Sequence, residues 1–396
     1  MKLAARLEHI EPFYVMECAK VAQEIARGPL CDPARGGRPM IYLNIGEPDF
    51  TAAPAVVAAA ERCMAAGRTQ YTQATGLPAL REAIAAWYAT RFGVGVAASR
   101  IVVTAGASAA LQLTTLALID DGDELLLPDP SYPCNRHFVA AAGGRAILLP
   151  AGPQQRFQLD GDAVQRAWGP RTRGVLLASP SNPTGTSIER GEMQRIVQAV
   201  RERGGVTLVD EIYLGLSYDE AFGHSALEHV SDEHDDLIII NSFSKYFGMT
   251  GWRLGWLVLP EPLVAPVEKL AQNLFICPSS IAQEAALACF EPVSLAEYER
   301  RRAAFRARRD FIVPALERLG FRVPVAPDGA FYVYADVSGH AASSWDFCFD
   351  MMRRAQVALT PGRDFGPQAG ERHLRLSFAN SMAELEEAVR RLEQVL

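Results

Sequence analysis

Residues 237–259 read LIIINSFSKYFGMTGWRLGWLVL, and this stretch decides the fold. Two apolar runs, LIIIN (237–241) and RLGWLVL (253–259), enclose a polar segment that carries two serines, a lysine and two glycines. Apolar runs without polar alternation are typical of strands that helices cover on both faces. The stretch therefore predicts two buried strands with a polar segment at their ends.

Similar apolar runs precede this stretch, and helical patterns separate them. The runs are IVVT (101–104), ELLLP (124–128), AILLP (146–150), GVLLASP (174–180) and VTLVDEIY (206–213). Strands that alternate with helices are typical of an α/β domain with a mostly parallel sheet. We therefore predict an α/β fold, in which a mostly parallel sheet is sandwiched by helices in a large cofactor domain over residues 45–290.

The two ends of the chain predict a smaller α+β domain. Residues 1–44 form an arm of the small domain with a helical pattern over 13–27, and we expect residues 1–38 to be loosely packed. Residues 291–396 combine a long charged helix, expected over 295–319, with short strands and a terminal helix. Pro314 should bend or break the long helix, because proline lacks the amide proton that a helix interior uses.

The composition is that of an ordinary globular protein. The chain has 396 residues, of which 49% are hydrophobic and 21% charged, and its formal net charge is −7. These values exclude a disordered, collagen-like or coiled-coil chain. The negative charge argues against nucleic acid as a partner. No apolar run approaches the roughly 20 residues that span a bilayer, so we expect no membrane partner.

The cysteines and the amino terminus predict a cytoplasmic protein. The seven cysteines are scattered, odd in number and form no CxxC pair, as is typical of reduced thiols. Glu8, Glu11 and Glu17 interrupt the apolar stretch that a signal peptide would need. Cys134 and His137 lie close in sequence, but two ligands do not make a zinc site, so we predict no metal.

Small and polar residues follow the predicted strands, where open α/β sheets bind their ligands. Taken singly, each has an ordinary explanation as a turn, a cap, a core residue or a surface ion pair. Together they supply a phosphate cradle, an amide, a carboxylate, a phenol, hydroxyls, a lysine and an arginine. The segments are Thr104 to Ser108, Asn182 to Gly185, Asp210 to Tyr213, Ser242 to Lys245, and Gly248 with Arg253.

The segment SFSKYFGMTGWRLG (242–255) resembles the lysine segment of the pyridoxal-phosphate-dependent class I/II aminotransferases of fold type I, which include aspartate aminotransferase. Further matches follow the family's order: GEPDF (46–50), Tyr71-Thr72, SNPTG (181–185), DEIY (210–213) and RLSFA (375–379). The resemblance runs from about residue 6 to the end. It implies the cofactor pyridoxal 5′-phosphate and a ping-pong transfer of an amino group from an amino acid to a 2-oxo acid, with 2-oxoglutarate as the expected acceptor.

The resemblance implies three catalytic residues, namely Lys245, Asp210 and Tyr213. Lys245 would hold the cofactor aldehyde as a Schiff base and move the proton between substrate and cofactor. Asp210 would keep the pyridine nitrogen protonated, so that the ring accepts electrons. Tyr213 and Asn182 would donate hydrogen bonds to the phenolic oxygen of the cofactor.

The resemblance also implies how the cofactor phosphate is bound. Backbone amides at the start of a helix would hold it, because helix N-termini bind anions. Hydroxyls and a guanidinium would complete the cradle. The residues are Ala107, Ser108, Ser242, Ser244 and Arg253.

Four further roles concern the ring face, the substrate and a second subunit. Tyr132 would stack on the ring. Arg375 would bind the substrate α-carboxylate in bidentate fashion, with help from Asn182 and the Gly46 backbone. Tyr71 would reach the phosphate in a neighbouring subunit, which implies a homodimer with shared sites.

A second carboxylate on the substrate would need a further cation, which the sequence does not identify. Arg136 and Arg35 are candidates, but no spacing favours either. Phe13 and Tyr14 in the arm equally indicate an apolar pocket for the substrate side chain.

Other functions compete with transamination. A pyridoxal-phosphate lyase acting at the β-carbon, or a cyclising synthase, would share Lys245 and Asp210. A non-catalytic ligand-binding regulator of this fold usually carries a DNA-binding domain, for which the N-terminus is too short. A nicotinamide dehydrogenase needs GxGxxG between a strand and a helix, and the sequence lacks that motif.

Overall fold

The computed structural model describes residues 1–231 and 236–396. The strands are β1 (Ile41–Tyr42), β2 (Ile101–Thr104), β3 (Glu124–Asp129), β4 (Arg145–Pro150), β5 (Thr172–Ala178), β6 (Val206–Asp210), β7 (Leu237–Ser242), β8 (Gly255–Val258), β9 (Tyr332–Asp336), β10 (Val357–Ala358), β11 (Thr360–Pro361) and β12 (His373–Ser377). The helices are α1 (Tyr14–Ala26), α2 (Pro54–Ala65), α3 (Pro78–Phe92), α4 (Gly106–Leu118), α5 (Pro133–Ala141), α6 (Gly161–Ala167), α7 (Arg190–Arg201), α8 (Glu261–Leu274), α9 (Ser280–Ala286), α10 (Pro292–Arg318), α11 (Ser344–Arg354) and α12 (Met382–Glu393). Short 3₁₀ helices cover Ala5–His9, Pro29–Cys31, Pro33–Arg35, Ala98–Arg100, Pro153–Gln155, Leu214–Leu216, Ala226–His229, Thr250–Trp252, Leu287–Phe290 and Gly362–Asp364.

A seven-stranded sheet carries the strands predicted between residues 101 and 259. Its order is β2-β8-β7-β6-β5-β3-β4, and neighbouring strands are parallel except at β8. Ile239 of β7 packs into one apolar cluster, and Ile238 and Ile240 pack into a second cluster on the opposite face. Helices therefore cover both faces, because successive side chains of a strand point to opposite sides. The predicted α/β class with a mostly parallel sheet is confirmed.

Strand β8 runs antiparallel to both of its neighbours, and this direction positions Arg253. Gly255, the first residue of β8, lies opposite Ser242 of β7 and opposite Thr104 of β2. Both partners are the last residues of their strands. Arg253 precedes Gly255 by two residues, so it lies at the carboxyl edge of β2 and β7, beside Lys245.

The C-terminal part of the chain contains smaller sheets. Strands β11, β12 and β9 form an antiparallel sheet, and β1 near the amino terminus pairs in parallel with β10. The arm thus joins the C-terminal part, as the prediction of a smaller α+β unit requires. The proposed domain boundaries after residues 44 and 290 stay predictions.

The expectation of a loosely packed arm was wrong for helix α1, whereas residues 1–14 and 32–39 are all exposed or half-buried. Helix α1 buries Val15, Cys18 and Ala22. Cys18 and Ala22 share an apolar cluster with Met352 and Ala358 from the C-terminal part. The helix has one apolar face, and that face is covered by residues more than 300 positions away, which the local pattern does not reveal.

Helix α10 continues through Pro314 to Arg318, so Pro314 does not break it, and the alternative expectation of a bend stays a prediction. Proline inside a helix costs about 3 kcal/mol, because a hydrogen bond is lost and the ring crowds the preceding turn. Ile312 and Leu316, on either side of Pro314, are buried in the main apolar cluster. Burying two such side chains contributes about 1.5–3 kcal/mol each, which is enough to keep the helix continuous.

The described ranges contain all seven cysteines, and each is a free thiol. Among the helices of these ranges, none is both long enough and apolar enough to cross a membrane. The same residues contain no group of three His, Cys, Asp or Glu side chains placed to hold a metal ion.

Candidate active site

A cleft of about 550 Å³ opens at the carboxyl edge of the seven-stranded sheet. It collects side chains that the strand ends and the C-terminal part present. Every predicted site residue except Tyr71 lines it. The residues are Gly46, Ala107, Ser108, Tyr132, Asn182, Asp210, Tyr213, Ser242, Ser244, Lys245, Arg253 and Arg375.

Tyr71 lies outside the cleft of its own chain. Its side chain is 80% exposed. A contact from Tyr71 to a neighbouring subunit stays a prediction.

The amine of Lys245 lies inside the cleft, just after β7. Its Nζ donates a hydrogen bond to the carbonyl oxygen of Gly46 at 2.6 Å. Desolvation lowers the pKa of Lys245 to about 8; the Glu47 carboxylate opposes this, and the charges of Arg375 and Arg253 add to it. A larger fraction of the amine is therefore neutral near physiological pH than for an ordinary lysine, and the neutral amine is the nucleophile.

Asp210 ends β6 on the floor of the cleft and is 6% exposed. Its Oδ1 accepts a hydrogen bond from the Ile212 amide at 3.0 Å. Burial raises the pKa of the Asp210 carboxyl to about 7, and the Ile212 hydrogen bond and the Lys245 charge oppose this shift. A cation placed against Asp210 would hold it ionised, because an opposite charge favours the charged form.

Two tyrosine hydroxyls lie close together in the same cleft as Asp210. The hydroxyls of Tyr213 and Tyr332 are 2.9 Å apart, and both side chains are buried. Burial raises the pKa of Tyr213 well above its ordinary value, so its hydroxyl keeps its proton and can donate it in a hydrogen bond. The Tyr332 ring faces the Arg375 guanidinium at 4.5 Å. A side chain at Gly46 would overlap the Tyr332 hydroxyl, so this backbone approach requires glycine.

Arg375 on β12 is 2% exposed and held by residues from distant parts of the chain. Its Nη1 donates to Oδ1 of Asn182 at 2.8 Å, and its Nη2 donates to the carbonyl of Asn44 at 2.7 Å. Its Nε is buried and finds no partner among residues 1–231 and 236–396. A buried unpaired donor costs about 1–3 kcal/mol, so an anion bound at this nitrogen would be stabilised. Because Oδ1 of Asn182 is occupied, its Nδ2 remains as a donor.

The start of α4 and the segment before β8 together form an anion cradle. Helix α4 begins at Gly106, and the first amides of a helix lack internal acceptors. A Cβ at Gly106 would come within 2.7 Å of Nη2 of Arg253, so the small residue admits the guanidinium. The hydroxyls of Ser242 and Ser244 are 2.9 Å apart in the same cleft. Arg253 itself has a φ of 52°, a conformation that side chains other than glycine adopt rarely and mostly at functional sites.

The sequence analysis missed Tyr332 and Asn44 as site residues. Tyr332 lies in GAFYVYADV (329–337), which the sequence indicates only as a strand. Asn44 lies two residues before the GEPDF motif (46–50), and this proximity was the one sequence signal for its role. Neither role is visible without the tertiary structure, because each depends on contacts to Tyr213 or Arg375.

The donor set fits a phosphorylated aldehyde with a basic ring nitrogen. Helix amides, hydroxyls and Arg253 suit a phosphate, the Asp210 carboxylate suits a protonated nitrogen, and the Lys245 amine suits an aldehyde. The unpartnered Nε of Arg375 adds a second anion site in the same cleft.

The family model for aminotransferases of class I and II matches residues 38–392. This chain belongs to the class I and II aminotransferases. Its cofactor is pyridoxal 5′-phosphate, the cofactor of this family.

Named relatives of this aminotransferase act on different amino acids. It is 38% identical to a valine–pyruvate aminotransferase from Mycobacterium tuberculosis, over 97% of this chain and 96% of the relative. It is 33% identical to an aspartate aminotransferase from Geobacillus stearothermophilus, over 100% of this chain and 99% of the relative. Sequence similarity of this degree shows a transaminase and leaves its substrate open.

Solved structures of aminotransferases share the fold. An aminotransferase from Mycobacterium tuberculosis superimposes with a TM-score of 0.92 at 37% identity, covering 100% of this chain and 98% of that one. Aspartate aminotransferase from Thermus thermophilus with maleate gives a TM-score of 0.90 at 31% identity, covering 100% of both chains.

Proposed function

We propose that this aminotransferase moves the amino group of an amino acid to a 2-oxo acid by a ping-pong mechanism, with Lys245 as the cofactor-binding lysine and proton carrier. One observation carries the proposal. The amine of Lys245, the carboxyl of Asp210 and the buried guanidinium of Arg375 line a single cleft. Transamination needs a proton carrier, an anion beside the ring nitrogen and a site for the α-carboxylate, and these groups supply all of them.

Pyridoxal phosphate, when bound, supplies an aldehyde that reacts with amines and a ring that accepts electrons. The carboxylate of Asp210 holds the proton on the ring nitrogen. Arg375 binds the α-carboxylate through its free Nε edge and so orients the bond to the α-hydrogen. Nζ of Lys245 would hold the aldehyde of the cofactor and, when free, would carry the proton between the α-carbon of the substrate and the carbon that receives the amino group.

Other residues bind and orient without moving the proton. Nδ2 of Asn182 and the hydroxyl of Tyr213 donate to the phenolic oxygen of the cofactor. Tyr132 covers one ring face and excludes water. The phosphate-binding residues are Ala107, Ser108, Ser242, Ser244 and Arg253. Gly46 assists at the substrate carboxylate through its backbone.

We propose that the enzyme is a homodimer with shared sites, in which Tyr71 of one subunit reaches the phosphate of the other. The exposure of Tyr71 supports this role, since a side chain bound only to its own subunit's site would be covered. We propose a cytoplasmic location, which the free thiols support.

For the acceptor, the sequence resemblance points to 2-oxoglutarate. Pyruvate, which the name of the Mycobacterium tuberculosis relative contains, is the second candidate. The two differ by one carboxylate, so the chemistry of the cleft beyond Arg375 distinguishes them.

A half-reaction tests the proposed function. The holoenzyme is mixed with single amino acids, without a 2-oxo acid, and the visible absorbance of the cofactor is followed while the product is quantified. We expect one equivalent of 2-oxo acid per site and then no more, since the cofactor is left in its amine form. Continuous product release would identify a lyase instead. Lys245→Ala is the control and should show no turnover.

A further inference from the structure

We propose that helix α1 of the arm forms an apolar wall at the substrate end of the cleft and that this wall selects amino acids with uncharged, apolar side chains. The inference rests on the proposed function, because it names the substrate class of the same site.

The wall consists of residues that the arm and the following loop place around the mouth of the cleft. Helix α1 and the residue before it contribute Phe13, Val15, Met16 and Ala19, with Gln23 as the one polar residue of α1 in the lining, and the loop after β1 contributes Ile45. When Arg375 holds the α-carboxylate and the α-carbon lies near Lys245, the side chain of the substrate occupies the remaining space. Apolar walls favour apolar side chains, since a charged group loses its hydration there without compensation.

Among the described residues, the charged groups that one chain contributes to the cleft leave no cation for a second carboxylate. They are Glu47, Asp210, Lys245, Arg253 and Arg375. The three cations already serve the aldehyde, the phosphate and the α-carboxylate. Glu47 is acidic and would repel a carboxylate on the side chain.

The two cations considered from the sequence are engaged elsewhere. Nη1 of Arg136 donates to the carbonyl of Asp364 at 3.1 Å, and Nη2 pairs with Glu11 at 3.2 Å. The Arg35 side chain is 71% exposed and lies 3.5 Å from a carboxylate oxygen of Asp32. Neither lines the cleft.

A buried carboxylate holds the wall in place. Asp364 is fully buried and accepts hydrogen bonds from the amides of Val15 at 2.9 Å and Tyr14 at 3.3 Å, at the first turn of α1. Phe13 packs edge-on against Tyr132 with ring centroids 6.2 Å apart. Asp364 is therefore a positioning residue, which acts on the substrate only through α1.

The wall has a consequence for the acceptor. In a ping-pong reaction the amino acid and the 2-oxo acid occupy the same cleft in turn, so both meet the same side-chain environment. A 2-oxo acid with one carboxylate should therefore react better than 2-oxoglutarate.

The test compares donors on the holoenzyme by kcat/KM of the half-reaction. Leucine, valine, methionine and phenylalanine represent apolar side chains, aspartate and glutamate carry the second carboxylate, and lysine carries a cation. We expect the best apolar donor to exceed both dicarboxylates by about a hundredfold. If no donor changes the cofactor absorbance, the proposed function itself fails. If glutamate, aspartate or lysine is the best donor, the function stands and the wall proposal is overturned.

A cation placed on the wall should reverse the preference. Met16 lies on the wall and is 55% exposed, so arginine fits there without being buried. We expect Met16→Arg to raise the ratio of kcat/KM for glutamate over leucine at least tenfold. Met64→Arg is the matched control, since Met64 is exposed on α2 and lies outside the cleft. An unchanged ratio in folded, cofactor-loaded Met16→Arg would contradict the proposal.

Separate measurement of KM and kcat distinguishes a role of Asp364 in holding the wall from a role in the reaction itself. Asp364→Ala should raise KM for leucine about tenfold with a smaller change in kcat, because the wall shifts while the reacting groups stay. Asp364→Asn, which keeps an acceptor for the helix amides, should restore most of the loss. A fall in kcat without a change in KM would show that Asp364 does not act through the wall.

Discussion

Burial in the cleft shifts the pKa values of individual side chains. Lys245 and Asp210 both lose solvent, and the loss moves their pKa values toward each other, to about 8 and about 7. Burial favours the neutral form of each group, whatever its sign. The site thus contains an amine that can take up and release a proton near neutral pH, as the proposed proton carrier must.

The lowered pKa of Lys245 predicts the pH dependence of cofactor addition to the apoenzyme. Only the neutral amine attacks an aldehyde, so the rate constant should rise with pH up to about 8 and level off above it. An ordinary lysine, with a pKa of about 10.4, would give a rate that still rises at pH 9.5. Absorbance after mixing apoenzyme with pyridoxal phosphate measures the rate. Lys245→Arg is the control for binding without covalent attachment.

Tyr332 predicts a spectroscopic effect. Its hydroxyl pairs with that of Tyr213, and a bond donated by Tyr332 would strengthen Tyr213 in its proposed role as a donor to the cofactor, because hydrogen bonds in a chain polarise one another. Tyr332→Phe should raise the pH midpoint of the visible absorbance change of the bound cofactor by about 0.5 units. Without Tyr332, Tyr213 is a weaker donor and stabilises the negative charge on the phenolic oxygen less, which favours the protonated form of the cofactor. Tyr334→Phe is the matched control for Tyr332→Phe. Tyr334 lies two residues further along the same strand, is also buried, and stacks on His373. Equal midpoints in both variants would refute the role of Tyr332.

At the scale of elements, the direction and length of single strands and helices decide which groups meet. Strand β8 is antiparallel to both of its neighbours, so Arg253, just before β8, lies at the same edge of the sheet as Lys245, just after β7. α10 remains one helix through Pro314 because the residues around the proline are buried. Helix α10 also places Arg308 against Asp49 of the GEPDF motif (46–50).

The ion pair of Arg308 should stabilise this arrangement of α10. Its guanidinium contacts both oxygens of Asp49, at 2.8 and 2.7 Å, and the carbonyl of Ala379 at 2.8 Å, and the residue is 6% exposed. Arg308→Ala should lower the free energy of unfolding by about 1–3 kcal/mol, mainly because it removes the donor from the carbonyl of the buried Ala379, while Asp49 can turn to solvent. Urea titration of the holoenzyme measures the loss. Arg390→Ala, which breaks an exposed pair with Glu387, should cost below about 1 kcal/mol; equal losses would contradict the argument.

At the scale of the whole molecule, the two ends of the chain and the middle sheet build one cleft. Arg375 comes from the C-terminal sheet, Asn182 from the end of β5, and the arm contributes the wall. The cleft is therefore complete only when the arm and the C-terminal part have packed on the large sheet. In the proposed homodimer, a second chain completes the site by contributing its Tyr71.

The proposed homodimer predicts a particle of twice the 43.2 kDa of one chain, which light scattering during gel filtration measures. Tyr71→Phe should leave that mass unchanged and weaken the binding of pyridoxal phosphate about tenfold, since one hydrogen bond to a charged group contributes about 1.5–3 kcal/mol. Titration of apoenzyme with the cofactor gives the affinity. An active particle with the mass of one chain would disprove shared sites.

The sequence by itself determined the class of the fold and the family, and it identified the polar residues at the strand ends that line the cleft. Each apolar run forms a strand, and the residues after it lie at the strand's end, so local order along the chain was sufficient for Asp210, Lys245 and the cradle. Only the tertiary structure decided that β8 reverses, that Tyr332 pairs with Tyr213, that Asn44 and Asn182 hold Arg375, and that α1 is packed as a wall. The contacts of Tyr332, of Arg375 and of α1 with the C-terminal part join residues 100 or more positions apart, and these arrangements depend on strand order and on the burial of distant faces, which hydrophobic periodicity does not encode.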